Sequence, residues 1–422
     1  MADQTSRGEL AKRPKALERR SSDSGLSRAT VLTGLGLVVG SGVAWTGVAW
    51  LLARRWPWQQ FGDAASQSDV LKLALGVVAA GGAAVALVVN YRRQQHLEHD
   101  EAGRRDQLRL FTERFGAAAA QLGGEQAAVR LAGVYAMAAL ADDWESHRQQ
   151  CIDVLCGYLR LPYTVEPAPG HPNTVTEQRH YADGTVQRTE TTIYRLGEGQ
   201  VRGAIVETIR QHLQANAEVS WSELTFDFSG AVLVNASFQG AVFSGRLTSF
   251  RGTVFSGRLT SFKEAVFSGR LTTFEEAEFC DRLTTFDRAV FSGAAGFIGA
   301  TFSGRLISFD SAMFSGQEIS FDGATFSSDV TRFVGAMFAS DLTSFDWAVF
   351  SGQLTTFDGA EFDSGRTRFE SVRFSSDLTR FDMATFTDVA EAMNKADFTK
   401  PELVVWGPIR PRSSSADLVE AT

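Results

Sequence analysis

The chain has 422 residues, 44% of them hydrophobic and 21% charged, with 32 phenylalanines and a formal charge of -8, a length that holds two or three domains. The acidity lies in the C-terminal half, where residues 222–400 carry about 23 acidic against about 15 basic side chains, so free nucleic acid is not an expected partner. Three cysteines, Cys151, Cys156 and Cys280, are too few for a disulfide framework; they suit a reducing compartment and read as core or spare thiols.

Residues 1–28 form a basic leader expected to be disordered. Residues 29–53 carry no charge, and about 25 residues at 1.5 Å each are enough to cross a hydrocarbon core of about 30 Å. A second apolar run, 70–91, has its one charge, Lys72, near an end, where an ammonium can snorkel. Trp56, Trp58 and Phe61 lie between the runs, as in an interfacial belt. Residues 29–91 are thus expected to be two transmembrane helices with a short loop, with the lipid bilayer as a partner.

No small-x-small cleavage site precedes Arg54, which argues against a cleaved signal peptide. Lys12, Arg13, Lys15, Arg19 and Arg20 precede the runs, Arg92, Arg93, Arg104 and Arg105 follow them, and Arg54 and Arg55 stand between. The positive-inside rule then predicts a multi-pass cell-membrane protein with both termini cytoplasmic. Gly34, Gly36 and Gly40 lack the strand and acidic partner of a dinucleotide site. Gly36 and Gly40 instead make a small-xxx-small face through which membrane helices would pair as a homo-oligomer.

Residues 92–162 are a helical region, with Leu131, Val134, Tyr135 and Ala138 at the spacing of one face and a break at Gly123 and Gly124,. His96 and His99 are one helical turn apart, but no carboxylate or cysteine cluster completes a metal site. Residues 163–195 turn to Pro, Thr, His and Asn around Asp183-Gly184, and the residues leave open a β-hairpin or a flexible linker. A capping helix is expected within 196–221, with Val201, Ile205, Ile209 and Leu213 on one stripe.

From Phe238 the phenylalanines recur in alternating steps of five and seven, a period of twelve. They include Phe243, Phe250, Phe255, Phe262, Phe267 and Phe274, and, after a one-residue deletion before Phe297, Phe326, Phe333, Phe338, Phe345, Phe350 and Phe357. Two residues before each Phe stands Ala on one beat (Ala241, Ala265, Ala289) and usually Thr on the other (Thr248, Thr260, Thr284). Residues two apart share a face of an extended chain, so Phe and its small partner face inward. Twelve residues cannot enclose two Phe; two repeats per coil, about 24 residues and four sides, predict about six coils stacked about 4.8 Å apart. The solenoid is expected over 222–390, with a C-terminal cap and disordered tail over 391–422.

The units AVFSG, GATFSG and GAEFD resemble those of pentapeptide-repeat proteins, a resemblance that covers about 160 residues and implies a right-handed quadrilateral β-helix. The stretch FTERFGAAAAQLGGEQAAVRLAGVYAMAALADD also looks like the helical segment preceding such repeats in actinobacterial membrane proteins. The five-plus-seven spacing departs from strict fives, so a wider coil, or one bulged at alternate corners, is expected.

Three residues before alternate phenylalanines stand Leu259, Leu283, Leu306, Val330, Leu354 and Leu378; the other beat gives Leu247, Leu271, Glu318, Leu342 and Arg366. The first set is either an exposed apolar stripe that binds a partner or extra core folded in at bulged corners. Just upstream, Arg246, Arg258, Arg270, Arg282 and Arg305 give way to Asp329, Asp341 and Asp377, a charge gradient along the rod.

No P-loop, nucleophile elbow, zincin helix or paired-cysteine zinc motif is present, and no histidine follows residue 212. No catalytic, cofactor or metal residue is expected. The sequence therefore points to a non-enzymatic, membrane-tethered scaffold that presents its solenoid to a protein partner at the cytoplasmic face. The alternative, implied by the resemblance, is a DNA-mimicking solenoid that binds a DNA-processing enzyme such as gyrase. Ice or carbohydrate binding by Thr rows conflicts with inward-facing Thr.

Overall fold

The computed structural model describes residues 50, 54, 86–93, 104–165, 174–180, 186–387, 393 and 395–407. The chain divides into two units, residues 1–102 and 103–422. In the first, residues 86–93 are helical. Among the described residues no helix is long and apolar enough to cross a membrane. This overturns the expected fold of two transmembrane helices and the multi-pass location with cytoplasmic termini. The runs 29–53 and 70–91 lie, apart from residues 50 and 86–91, outside the described residues, as do His96, His99 and the Gly36–Gly40 face.

The second unit begins with helix α1 (residues 104–122), which ends at Gly123, followed by α2 (Ala127–Asp143) and α3 (Arg148–Leu159). Val134 and Ala138 of α2 are buried, whereas Tyr135, placed on the same face by spacing, is 60% exposed. Strands β1 (Thr174–His180) and β2 (Val186–Ile193) pair antiparallel, so the segment forms a hairpin; its Asp183-Gly184 connection lies outside the described residues. Helix α4 (Glu198–His212) follows.

Thereafter the chain coils. Successive short strands fall on four sides in turn, and each side is a parallel sheet of seven or eight strands, about seven turns and one more than the repeat count predicts. Leu247 pairs with Leu271, 24 residues on, and Leu259 with Leu283. Across the missing residue the separation falls to 23, as in Leu271 with Ala294 and Leu283 with Leu306, and at the ends it is 22 (Phe226 with Thr248) and 25 (Thr379 with Val404). The deletion removes a corner residue, where the two preceding coils carry Arg246 and Arg270, and leaves the central coils in register.

In chain order, side 1 holds strands such as Leu247–Ser249, side 2 Val254–Ser256, side 3 Leu259–Ser261 and side 4 Val266–Phe267. The seven-residue step ends in the three-residue strands that recur on sides 1 and 3, and the five-residue step mostly in two-residue ones. The coil is therefore wider along two sides.

The core is four columns of phenylalanine, one per side. Phe255 stacks on Phe279 at 4.6 Å and 4°, and Phe345 on Phe369 at 4.8 Å and 0°. These separations match the spacing of hydrogen-bonded strands. Neighbouring columns meet edge to face, as Phe309 does with Phe321 at 5.9 Å and 89°, an orientation the ring quadrupoles favour,. Thr248, Thr260, Thr284 and Ala265 are buried beside them.

After alternate phenylalanines, those that end the seven-residue step, the chain turns: the residue three on, usually Ala, donates its N–H to the Phe carbonyl (Ala265 to Phe262, 3.0 Å), and the residue before it has positive φ. This is type II geometry, which favours glycine at that place. Gly252, Gly323 and Gly359 comply, while Glu264, Arg288 and Trp347 adopt left-handed φ of 55–62°. At the other corner Gly269 lies so close to the preceding coil that a Cβ would stand 2.0 Å from the Gly245 carbonyl oxygen.

Both ends are sealed. The stripe of α4, Val201, Ile205, Ile209 and Leu213, is fully buried, and the Val242 N–H donates to the Leu213 carbonyl at 2.8 Å. Arg202 donates to the carbonyls of Tyr158 (3.3 Å), Leu159 and Val232 (3.2 Å), tying α3 and α4 to the first coil. Fully buried Arg130 lies 3.3 Å from Glu198, to which the Tyr158 hydroxyl donates at 3.0 Å. At the far end Trp406 stacks on Phe381 at 5.0 Å.

One interior position is anomalous. Where other coils have Gly, or an inward Ser such as Ser328 donating to the Phe302 carbonyl at 3.0 Å, this coil has Asp281, fully buried between neighbours whose Thr260 and Thr284 hydroxyls are also buried. Neither carboxyl oxygen has a hydrogen-bond partner among the described residues. Burial pushes its pKa from 3.8 up to about 6, with the nearby Thr260 hydroxyl and its own backbone pulling the other way.

Two predictions follow from this packing. Phe309→Ala opens a cavity in the third column and is expected to cost about 3–5 kcal/mol in chemical unfolding, with Phe309→Leu costing less. Because the folded pKa of Asp281 is raised, its stabilising contribution is greatest below about pH 4 and is lost as pH rises through about 6. Asp281→Asn should exceed the parent by up to about 3 kcal/mol at pH 7, with the gap closing near pH 4; an equal gap at both would refute it.

Candidate protein-interaction face

A strand with its middle residue inward puts the first and third outward. On side 3, inward Thr260, Thr284, Ile307, Thr331, Thr355 and Thr379 are buried, and Leu259, Leu283, Leu306, Val330, Leu354 and Leu378 project outward on consecutive strands in one register. Leu259 is 40% exposed and the others are half-buried against their neighbours. The ladder thus lies on the outward side of the strands, partly covered by its own neighbours. The core phenylalanines, from Phe243 to Phe357, are all buried.

The ladder is unmatched on the other sides. Side 1 reads Leu247, Leu271, Ala294, Glu318, Leu342 and Arg366. Side 4 keeps Val242, Val266, Val290, Met313 and Met337 before Glu361 ends the run. Side 2 alternates Val254, Glu278 and Thr301.

Beside the ladder, at the third strand position, run Ser261, Thr285, Ser308, Arg332, Thr356 and Arg380. In the N-terminal half these residues are small, and with Leu259, Leu283, Leu306, Lys263, Asp287 and Asp310 they line a groove of about 390 Å³. Its far wall is a rung system that periodicity in Phe alone did not reveal. Asp310 N–H donates to the Asp287 carboxylate at 3.2 Å, Val334 N–H to Asp310 at 3.1 Å and Asp382 N–H to Asp358 at 3.0 Å. The available signal was the Phe-Asp dipeptide recurring at 286, 309, 357 and 381. Arg332 pairs with Asp310 at 2.6 Å and Arg380 with Asp358 at 2.8 Å.

Along the opposite edge of the ladder lies a corner row, all exposed: Arg258, Arg282, Arg305, Asp329, Gln353 and Asp377. Arg305 approaches Asp329 at 3.7 Å, the point where the sign changes. Arg246 and Arg270 belong to a different row, beside side 1, which continues through Asp341; what reads as one gradient is two.

Among the described residues no group of three or more His, Cys, Asp or Glu could hold a metal ion. Buried Cys151 and Cys156 have pKa values raised by burial to about 11 and about 12, and exposed Cys280 is shifted upward too, so none is an activated thiolate. The polar cluster of Asp142 with the Trp221 indole (3.0 Å) and His212 (3.1 Å) braces the cap.

Trp347, which the sequence reading passed over, is 67% exposed on side 1's turn with φ of 62°. A left-handed tryptophan costs about 1–2 kcal/mol. Trp347→Gly is therefore expected to raise the unfolding midpoint slightly; a clear loss of stability would show that the ring makes compensating contacts.

Residues 286–337 match the family model for pentapeptide repeats (9 copies). No curated protein and no solved structure matches the chain. The match falls in the middle of the coil, across Phe291, Phe297 and Phe302, and the membrane-anchored actinobacterial type has no support from it. Pentapeptide repeats over residues 286–337 and a coil closed into a four-sided β-solenoid together fit a pentapeptide-repeat protein.

Proposed function

We propose that the chain is a non-enzymatic scaffold whose solenoid offers side 3 to a protein partner. The observation that supports this is the unbroken outward ladder from Leu259 to Leu378. A row of aliphatic side chains on a solvent-facing strand position adds nothing to the core, and contiguous apolar surface rimmed by charge is the composition of a binding patch. Rigidity helps: the Phe columns hold all six side chains at fixed spacing, so little order is lost on docking.

The DNA-mimic reading is disfavoured by charge. A duplex mimic needs a continuous acidic surface, and Arg258, Arg282 and Arg305 occupy one edge of this face while Arg332 and Arg380 neutralise acids on the other. The test is a full-length variant with Leu283→Ser, Val330→Ser and Leu354→Ser, compared with the parent by crosslinking mass spectrometry in cells. These positions face outward, so the fold is expected to persist by circular dichroism while crosslinks to side 3 are lost; an unchanged crosslink map with an intact fold would reject the face.

A further inference from the structure

We propose that the partner of side 3 is a second copy of this chain, with two solenoids lying face to face and antiparallel about a twofold axis between the Leu306 and Val330 rungs. This rests on the reading of side 3 as a docking face and names its occupant. Such an interface must be self-complementary, because the same patch serves both copies.

Side 3 meets that condition in three independent rows. The ladder reads Leu259, Leu283, Leu306 and then Val330, Leu354, Leu378, so reversing its direction sets aliphatic on aliphatic at every rung. The corner row reads Arg258, Arg282, Arg305 and then Asp329, Gln353, Asp377. A twofold axis in the interface plane and across the rod returns each edge to itself with direction reversed. Arg258 then faces Asp377 of the second copy, Arg305 faces Asp329, and Arg282 faces Gln353. On the other edge Lys263 faces Asp382.

The third row supplies shape. The groove over Ser261, Thr285 and Ser308 lies in the N-terminal half, and the two long side chains of the row, Arg332 and Arg380, lie in the other half. Reversal brings Arg332 over Ser308 and Arg380 over Ser261, so that each guanidinium, already paired in its own chain with Asp310 at 2.6 Å and Asp358 at 2.8 Å, is shared with a partner groove walled by Asp287 and Asp310. A parallel pairing does less well: opposite edges would meet at equal height, and the favourable Arg282–Asp287 and Arg305–Asp310 pairs would be offset by Arg258 against Lys263 and Asp377 against Asp382.

Two costs are small. Arg305 and Asp377 have partners within their own chain, Asp329 at 3.7 Å and Lys400 at 2.7 Å, but exposed pairs of this kind hold little energy and are readily shared. Asp287 faces Asp358 across the axis, yet Asp287 already accepts from Asp310 N–H and Asp358 from Arg380. Six rungs make a face about 24 Å long, at the small end of specific interfaces. The dimer should therefore dissociate in the micromolar range.

Sedimentation velocity of the full-length chain across micromolar concentrations tests this. Arg258→Asp and Asp377→Arg, each placing two like-charge pairs in the interface, are expected to weaken the dimer about tenfold, and the double variant to restore it. A dimer indifferent to the single changes, or one that the double change does not restore, overturns the antiparallel register. A chain monomeric throughout overturns self-association; the scaffold reading then still stands or falls on whether the triple-serine variant loses crosslinks to other proteins.

Discussion

The structure depends on one coincidence of dimensions: stacked aromatic rings and hydrogen-bonded strands repeat at the same distance. Phe columns spaced 4.5–5.4 Å, as in Phe362 over Phe386 and Phe238 over Phe262, let each coil satisfy its backbone and its core together. The rest of the repeat follows. A ring at each corner leaves room only for a small residue two positions earlier, so Ala and Thr fill those places. The chain must then turn sharply after the ring, which puts a residue into left-handed φ every twelve positions whether it is Gly323 or Trp347.

That regularity has an end problem, since the last ring on each side would face water. The N-terminal coil is covered by α4 and by the helices behind it. The cover is held by directional contacts, Arg202 to three carbonyls and Arg130 with Glu198, which fix its orientation as apolar packing alone would not. At the C-terminus an indole replaces the phenyl ring, and Trp406 closes the third column with a larger plate. At Asp281 the interior accommodates a buried carboxyl by raising its pKa, which shifts the balance toward the neutral acid.

Because the core and the turns use up the inward and corner positions, the outward positions are free to vary without loss of fold. Sides 1, 2 and 4 show that freedom, mixing Leu, Val, Met, Glu, Thr and Arg. Side 3 does not use it: its first strand position stays aliphatic through six coils, flanked by an edge that changes sign once, midway. A constraint the fold does not impose calls for a source outside the fold, and a surface that complements its own reversal supplies one.

Much of this was legible beforehand. The alternation of Ala-x-Phe and Thr-x-Phe is burial with period two, and the steps of five and seven gave the 24-residue coil because two rings cannot fit in twelve residues. The turn count fell one short because the first coil begins with Phe226, Phe228 and Leu233 and the last ends in Phe398 and Trp406, out of step with the central spacing. The apolar runs before residue 92 suggest spans by composition and length alone, and among the described residues no helix is long and apolar enough to cross a membrane. Tyr135 misled because helical spacing specifies a face without specifying its edge. Sequence, then, determined the repeat, the inward residues and the absence of catalytic motifs, each a matter of local spacing. Only the closed coil decided which residues share a side: two successive repeats look alike in sequence, yet Arg246 and Arg258 stand at different corners, and the Leu ladder became a continuous outward row once 24 residues closed one turn.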